Sequence, residues 1–178
     1  MKKKMIALTA ALVLVLSAAV VGTVAWLTDK TQAEVNTFTV GNIDIDLTET
    51  TKDYKMIPGE EIAKNPKVSV EAGSEACWLF VKVEKSANLD NFISYTIADG
   101  WTKLEDGVYY RTVVADATER EFSVLANDKV TVKDTVTKAD MDAIKADSTK
   151  QPTLTFTAYA VQKAGFETAA AAWAEASK

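Results

Sequence analysis

The side chains that most often carry out catalysis are scarce in this chain of 178 residues, which contains no histidine and a single cysteine, Cys77. Without histidine, neither a Ser-His-Asp or Cys-His nucleophile pair nor a His-Glu-x-x-His zinc site can be built. Glycoside hydrolysis needs only two carboxyl groups at the correct separation. With 25 acidic residues, some pair lies that close by chance. We therefore predict a protein that is not an enzyme and that has no catalytic residues, metal ligands or cofactor.

The remaining polar and aromatic clusters give weak signals for binding. The run "DMD" at 140–142 lacks the glycine and the terminal glutamate of a calcium loop, so only incidental calcium binding stays open. Trp101, Tyr109 and Tyr110 fall on one predicted hairpin. Their rings either form a platform on which a sugar stacks or pack across the strands, and packing is the simpler interpretation.

Cys77 lies in the apolar run "ACWLFVKV". A lone cysteine cannot form an internal disulfide, so the fold must be held by packing alone. We predict that Cys77 is buried as a small hydrophobic residue rather than exposed as a reactive thiol.

The N-terminus has the layout of a secretory signal peptide. Lys2, Lys3 and Lys4 precede an uncharged run over 5–21. Thr23 and Ala25 suit the −3 and −1 pockets of a signal peptidase, which predicts residues 1–25 as the signal peptide and cleavage between Ala25 and Trp26. The alternative is an uncleaved anchor, since the run is slightly short of the ~20 apolar residues of a membrane span. Secretion is expected, with membrane contact only through the signal segment before cleavage.

The chain that remains after cleavage is acidic. Removal of three lysines leaves 17 basic against 25 acidic residues, a net charge of −8, which argues against a nucleic-acid partner. Its length suits one core, and no Pro/Ser-rich linker divides it. We therefore predict a single domain over 42–178.

Most of this domain has the alternating pattern of β-strands. In "NIDIDLT", Ile43, Ile45 and Leu47 share one face while Asp44 and Asp46 point to solvent. Further strands are predicted at "PKVSVEA", "CWLFVKVEK", "FISYTI", "WTKLEDGVYYRTVV", "EFSVL", "KVTVK" and "TLTFTAYAV". The run "CWLFVKVEK" is apolar on both faces, which favours a central strand. The dipeptide Asp106-Gly107 predicts a hairpin with a type I′ turn.

Two short helices interrupt the strands. The segment 137–147 is predicted as an amphipathic helix capped by Thr137, and the segment 168–177 as a C-terminal helix capped by Thr168 and docked by Trp173. About nine short strands separated by turns indicate an all-β fold, an antiparallel β-sandwich of jelly-roll type with one or two short helices.

The phase of the apolar alternation changes near the N-terminus of the domain. Phe38 and Val40 occupy even positions, whereas the apolar residues of the next strand occupy odd positions. The change requires a bulge or a sharp turn at Gly41 and Asn42, which glycine permits.

The junction "TVAWLTDKTQAEVNTFTVGNIDIDL" resembles the start of bacterial proteins exported with the SipW-dependent type of signal peptide, the TasA/camelysin family. The resemblance continues through "MIPGEEIAKNPKVSVEAGSEACWLFVKVE" and returns at "TLTFTAYAVQKAGFETAAAAW", whereas 85–150 is similar mainly through "DGVYYRTVV". It implies a jelly-roll subunit of extracellular matrix or cell-surface fibres in Gram-positive bacteria. Some family members carry a peptidase label, which a chain without histidine does not support.

The resemblance also implies a role for the segment 26–41. In fibre-forming members, the strand freed by signal cleavage inserts into the sheet of the next subunit. Val35, Phe38 and Val40 would then be the donor-strand residues, with Gly41 and Asn42 as the hinge. The partners would be other copies of the chain or related matrix subunits, besides the signal peptidase during export. The alternative function is a secreted or surface binding module that stays monomeric and recognises a glycan or a host surface through Trp101 and Tyr109.

Overall fold

The computed structural model describes residues 42–50 and 55–178. Within these residues the chain forms ten strands: β1 Ile45–Thr48, β2 Glu61–Ala63, β3 Lys67–Val70, β4 Cys77–Lys85, β5 Ile93–Ser94, β6 Thr102–Glu105, β7 Val108–Val113, β8 Glu121–Ser123, β9 Lys129–Val132 and β10 Leu154–Gln162. The α-helices of the same residues are α1 Leu89–Phe92, α2 Lys138–Ala146 and α3 Ala169–Ala176. Two 3-10 turns lie at Ala126–Asp128 and Ser148–Lys150.

The strands form three sheets in which every pairing is antiparallel. Their strand orders are β1-β3-β8, β10-β4-β7-β6 and β2-β9-β5. The first two sheets share one apolar core, to which β3 contributes Val68 and Val70 and β4 contributes Leu79 and Val81. The predicted fold class, an antiparallel β-sandwich with a few short helices, is therefore confirmed.

β4 is the central strand that its sequence predicts. It lies between β10 and β7, and Leu79, Phe80 and Val81 are fully buried. Successive side chains of a strand point to opposite faces, so three consecutive buried residues require cover on both sides of the sheet. The sandwich core covers one face, and helix α3 covers the other.

Helix α3 packs on the outer face of the four-stranded sheet. Ala169 and Ala172 are buried against Phe80 and Val108. The Trp173 ring centroid lies 5.3 Å from that of Phe80. The predicted docking of this helix through Trp173 is confirmed.

A second apolar cluster lies between the β2-β9-β5 sheet and helix α2. It includes Val130 and Val132 of β9, Ile144 of α2 and Leu89 of α1. Leu154 and Phe156 of β10 pack against it as well as against the main core. The start of β10 therefore joins the two clusters.

Both predicted helix caps are present. The Thr137 hydroxyl accepts a hydrogen bond from the backbone N–H of Asp140, and the Asp140 carboxylate accepts one from the backbone N–H of Thr137. This reciprocal pair satisfies two backbone donors at the start of α2 that have no partner within the helix. At the start of α3 the Thr168 hydroxyl accepts a hydrogen bond from the N–H of Ala171 at 3.2 Å, without a reciprocal bond because Ala171 has no polar side chain.

Two sequence predictions of local structure are wrong. The hairpin between β6 and β7 forms, but its turn is not type I′, because Gly107 has a positive φ of 73° and Asp106 does not. The register of β6 against β7 shifts by one residue between Lys103 and Glu105, an irregularity of the kind that a β-bulge produces.

The segment "FISYTI" is not one continuous strand. Phe92 ends the single-turn helix α1, and only Ile93 and Ser94 form β5. Leu89 and Phe92 are both buried and lie three residues apart, so one helical turn puts both into the second cluster. Within residues 42–50 and 55–178, no helix is long and apolar enough to cross a membrane.

Candidate functional site: the outer edge of strand β10

Most of the predicted site residues lie outside the described residues. These are the cleavage pair Ala25 and Trp26, the donor-strand residues Val35, Phe38 and Val40, and the hinge residue Gly41. The other hinge residue, Asn42, is exposed, and its side-chain amide donates to the Asp44 carboxylate at 2.9 Å. Its carbonyl accepts a hydrogen bond from the N–H of Glu75 at 3.1 Å. Asn42 is therefore held to the turn before β4.

The hairpin aromatics do not form a flat platform. Trp101 is 9% exposed and its indole N–H donates to the carbonyl of Ser123 at 2.9 Å. Tyr109 packs against the main core with Trp101, whereas Tyr110 lies on the opposite face beside Trp78. Cross-strand and core packing therefore explain these rings, and the surface for sugar stacking that the alternative function requires is not formed by Trp101.

The unpaired edge of a sheet is a hazard because its free N–H and C=O groups can pair with another chain. Most edges in the described part of this chain are short or carry charges. β2, β5 and β8 have two or three residues each, and β6 carries Lys103 and Glu105. On β1, Asp46 accepts a hydrogen bond from the backbone N–H of Leu47 at 2.8 Å.

β10 is the exception among these edges. It runs for nine residues, "LTFTAYAVQ", without a charged residue, a glycine or a proline. It pairs with β4 along its whole length, from Leu154 opposite Lys85 to Gln162 opposite Cys77. No other strand of the described residues pairs with its outer edge.

The register identifies which backbone groups face outward. Backbone bonds join Lys163 to Ala76 and Ser86 to Thr153, immediately beyond the two ends of the ladder. Because hydrogen-bonding alternates along an antiparallel strand, the odd-numbered residues of β10 bond to β4. The outward N–H and C=O groups therefore belong to Leu154, Phe156, Ala158, Ala160 and Gln162.

The side chains along this edge are only half-buried. Phe156, Ala158 and Ala160 point into the sandwich core, yet each keeps intermediate exposure, whereas Leu79 and Val81 on the adjacent strand are fully buried. β1 lies beside β10 without sharing a ladder with it. Its apolar residues Ile45 and Leu47 are half-exposed too.

The seam between β1 and β10 therefore combines two properties. Its outward backbone groups on β10 pair with no strand among residues 42–50 and 55–178, and its apolar side chains remain partly in contact with water. An added strand would pair with these backbone groups and bury these apolar side chains, which is how an extended segment joins a sheet edge. We refer to the outward backbone of β10, residues 154–162, as the β10 edge.

Two kinds of reactive site can be examined in the described residues, a nucleophilic thiol and a metal site. Cys77 is fully buried, as predicted, and burial raises the pKa of its thiol, which lowers the fraction of reactive thiolate. Among the residues that the structure describes, no three Cys, Asp or Glu side chains are grouped so that they could hold a metal ion.

The comparisons with known proteins add no relative. No protein-family model, curated protein or solved structure matches this chain. The resemblance to the TasA/camelysin family therefore stays a prediction from the sequence.

Proposed function

We propose that this chain is a secreted structural protein, a subunit of extracellular matrix or cell-surface fibres that assemble by strand addition after signal cleavage. The observation that carries the proposal is the β10 edge, nine uncharged residues long and without a partner strand in the described residues. A protein that only needed to stay monomeric would be expected to shorten, charge or cover such an edge.

The segment 26–41 is the proposed donor. From Trp26 to Val40 it can span about 50 Å in extended form, whereas the β10 edge needs about 30 Å at ~3.3 Å per residue. In an extended strand Phe38 and Val40 share one face and Val35 points to the other. Phe38 and Val40 would thus meet the half-buried Phe156 and Ala158, while Val35 would face the α3 side of the sheet.

Strand addition between copies gives a head-to-tail contact. The donor segment and the acceptor edge are different surfaces of the same chain, so the contact does not close on itself and a filament grows. Signal cleavage would control assembly, because a donor segment that is still attached to a membrane-bound signal peptide is not free to enter a neighbouring subunit.

Electron microscopy of two versions of the chain tests this function. Purified chain 26–178 and a shorter version beginning at Asn42 would be incubated at high concentration and negatively stained. Filaments from the longer version alone support the proposal. Globular particles from both would refute homopolymer formation and favour a monomeric binding module.

A substitution in the β10 edge tests the acceptor surface while the donor segment stays unchanged. Ala158→Pro removes an N–H that points away from β4, which an edge strand tolerates better than the loss of a ladder bond. We expect 26–178 carrying this change to remain folded and to form no filaments. Thr112→Lys changes an exposed residue of β7 that pairs with Trp78 of β4, and as the control for surface changes it should leave filaments intact. Thr157→Lys on β10 should reduce them.

A further inference from the structure

A second feature of the domain, separate from the β10 edge, is a large groove between the β2-β9-β5 sheet, helix α2 and the start of β10. Its volume is about 960 Å³, at the upper end of the range typical of small-molecule sites. Its floor is aliphatic and buried, formed by Leu89, Ile93, Val130 and Ile144.

The walls of the groove are apolar as well, but they are exposed. Ile57 has 58% of its surface in contact with water, and Met56, Ile62 and Met141 are half-exposed. Methionine side chains are flexible and adapt to ligands of varied shape. An apolar surface of this kind in contact with water is costly, and a ligand that covers it gains the corresponding transfer free energy.

Among the residues that the structure describes, the ionisable groups that line the groove are all basic. They are Lys55, Lys64 and Lys145. Lys64 is buried and forms an ion pair with Glu49 at 2.7 Å. Lys55 and Lys145 are exposed and form no ion pair with the residues that the structure describes. In a chain with a formal net charge of −5, this local excess of positive charge favours an anionic ligand.

We propose that the groove binds a long-chain carboxylate of the fatty-acid class, with the hydrocarbon chain on the aliphatic floor and the carboxylate near Lys55 or Lys145. Gln151, Thr153 and Thr155 also line the groove and are exposed, so their side chains are available for further polar contacts with the head group.

The nature of the floor distinguishes this ligand from an acidic peptide. A peptide would bring backbone N–H and C=O groups against Leu89, Ile93 and Val130, which offer no side-chain hydrogen bond in return. Burying such groups without a partner is costly. A hydrocarbon chain has no polar groups that need a hydrogen-bond partner, and its single charge can stay at the exposed lysines.

The test uses the chain 26–178, which contains every described residue, and titrates it with three probes by calorimetry. The probes are dodecanoate below its micelle concentration, dodecyltrimethylammonium with the same chain and opposite charge, and butanoate with the same head group and a short chain. We expect saturable 1:1 binding of dodecanoate and binding at least about tenfold weaker for the other two. Absence of saturable dodecanoate binding, or equal affinity for the cationic probe, would overturn the inference.

A pair of substitutions on helix α2 tests whether Lys145 interacts with the carboxylate of the ligand. Lys145→Glu should weaken dodecanoate binding by about five- to tenfold. Lys138→Glu makes the same change on the same helix, but Lys138 does not line the groove and its substitution should leave the affinity within about twofold. An equal loss in both variants would show a long-range effect of net charge and contradict a site in the groove. Circular dichroism of both variants checks that helix α2 is retained.

Discussion

Gly107 closes the hairpin between β6 and β7 in a conformation that favours glycine. Its φ is 73°, and a Cβ atom added there would lie 2.7 Å from the carbonyl oxygen of Val83. We expect Gly107→Ala to lower the free energy of unfolding by about 2–3 kcal/mol, because backbone strain and a steric clash act together. Gly73→Ala is the control: its φ is 89° with no atom near the added Cβ, so strain alone, about 1 kcal/mol, is expected. Equal losses in urea denaturation would contradict a role for the contact with Val83.

Lys64 and Glu49 form an ion pair that is largely shielded from water. Their side chains are 9% and 16% exposed, and the Nζ–Oε1 distance is 2.7 Å. Glu49→Gln removes the charge that lies 2.7 Å from the buried Lys64 ammonium, so it should cost on the order of 3 kcal/mol of unfolding free energy. The matched change Glu61→Gln breaks the exposed pair with Lys129 and should cost under about 1 kcal/mol. A loss at Glu49 no larger than at Glu61 would show that burial of the pair contributes nothing.

The cap of helix α2 should weaken in acid. Hydrogen bonds from the side chain and backbone of Thr137 lower the pKa of the Asp140 carboxyl. A lowered pKa means that the stabilisation is present above the ordinary value of about 3.9 and is lost as the pH falls through the lowered pKa. A carboxyl carbon NMR titration should therefore place the Asp140 midpoint below that value. Thr137→Ala should return the midpoint toward it, and an unchanged midpoint would contradict the assigned cause.

At the scale of elements, Trp173 is the largest side chain through which α3 packs on the sandwich, beside the buried Ala169 and Ala172. The Trp173 ring meets Tyr159 edge-on at a centroid distance of 5.1 Å, and its indole N–H donates to the Glu105 carboxylate at 2.8 Å. Trp173→Ala should cost about 3 kcal/mol of unfolding free energy, the usual range for removing a large packed aromatic residue. Glu175→Ala on the exposed side of the helix should change stability by less than about 0.5 kcal/mol. Thermal unfolding of both variants makes the comparison, and a similar small effect in each would mean that α3 is not docked through Trp173.

The elements that the sequence predicts best are those with a strong local signal. The apolar run of β4 indicates burial on both faces, and Thr137 and Thr168 mark the starts of α2 and α3, as observed. Local sequence signals fail where contacts with distant segments determine the backbone conformation. α1 forms because Leu89 and Phe92 both pack into the second cluster. The Asp106-Gly107 turn occurs together with a register shift in β6 that its dipeptide does not indicate.

The β10 edge could be predicted only in part. The alternation of Leu154, Phe156, Ala158 and Ala160 with polar residues indicates a strand with one buried face. It does not indicate that the strand lies at the end of a sheet, because strand order depends on pairings between segments far apart in the chain, such as β10 with β4. The same reason explains why the sequence does not indicate the groove beside α2, since its lining comes from six separate elements, β2, α1, β5, β9, α2 and β10.

At the scale of the whole molecule, the described part of the sandwich combines a well-covered centre with one long edge that no described strand pairs with. Cys77, Leu79 and Val81 at the centre have no exposure, whereas the core-facing residues of β10 and β1 are half-exposed. Since the other edges are short or carry charges, the uncovered surface is concentrated at one seam. A single added strand at the β10 edge would complete the cover of that seam.

The most direct measurement of this central claim is the binding of a synthetic peptide of residues 26–41 to the chain 42–178, followed by amide hydrogen exchange at single residues. We predict that the peptide slows exchange at the outward amides of Phe156, Ala158 and Ala160. The amides of Thr157 and Tyr159, which already bond to β4, should change far less. The same peptide should not protect the Ala158→Pro variant. Protection elsewhere on the domain, or equal exchange with and without peptide, would contradict strand addition at the β10 edge.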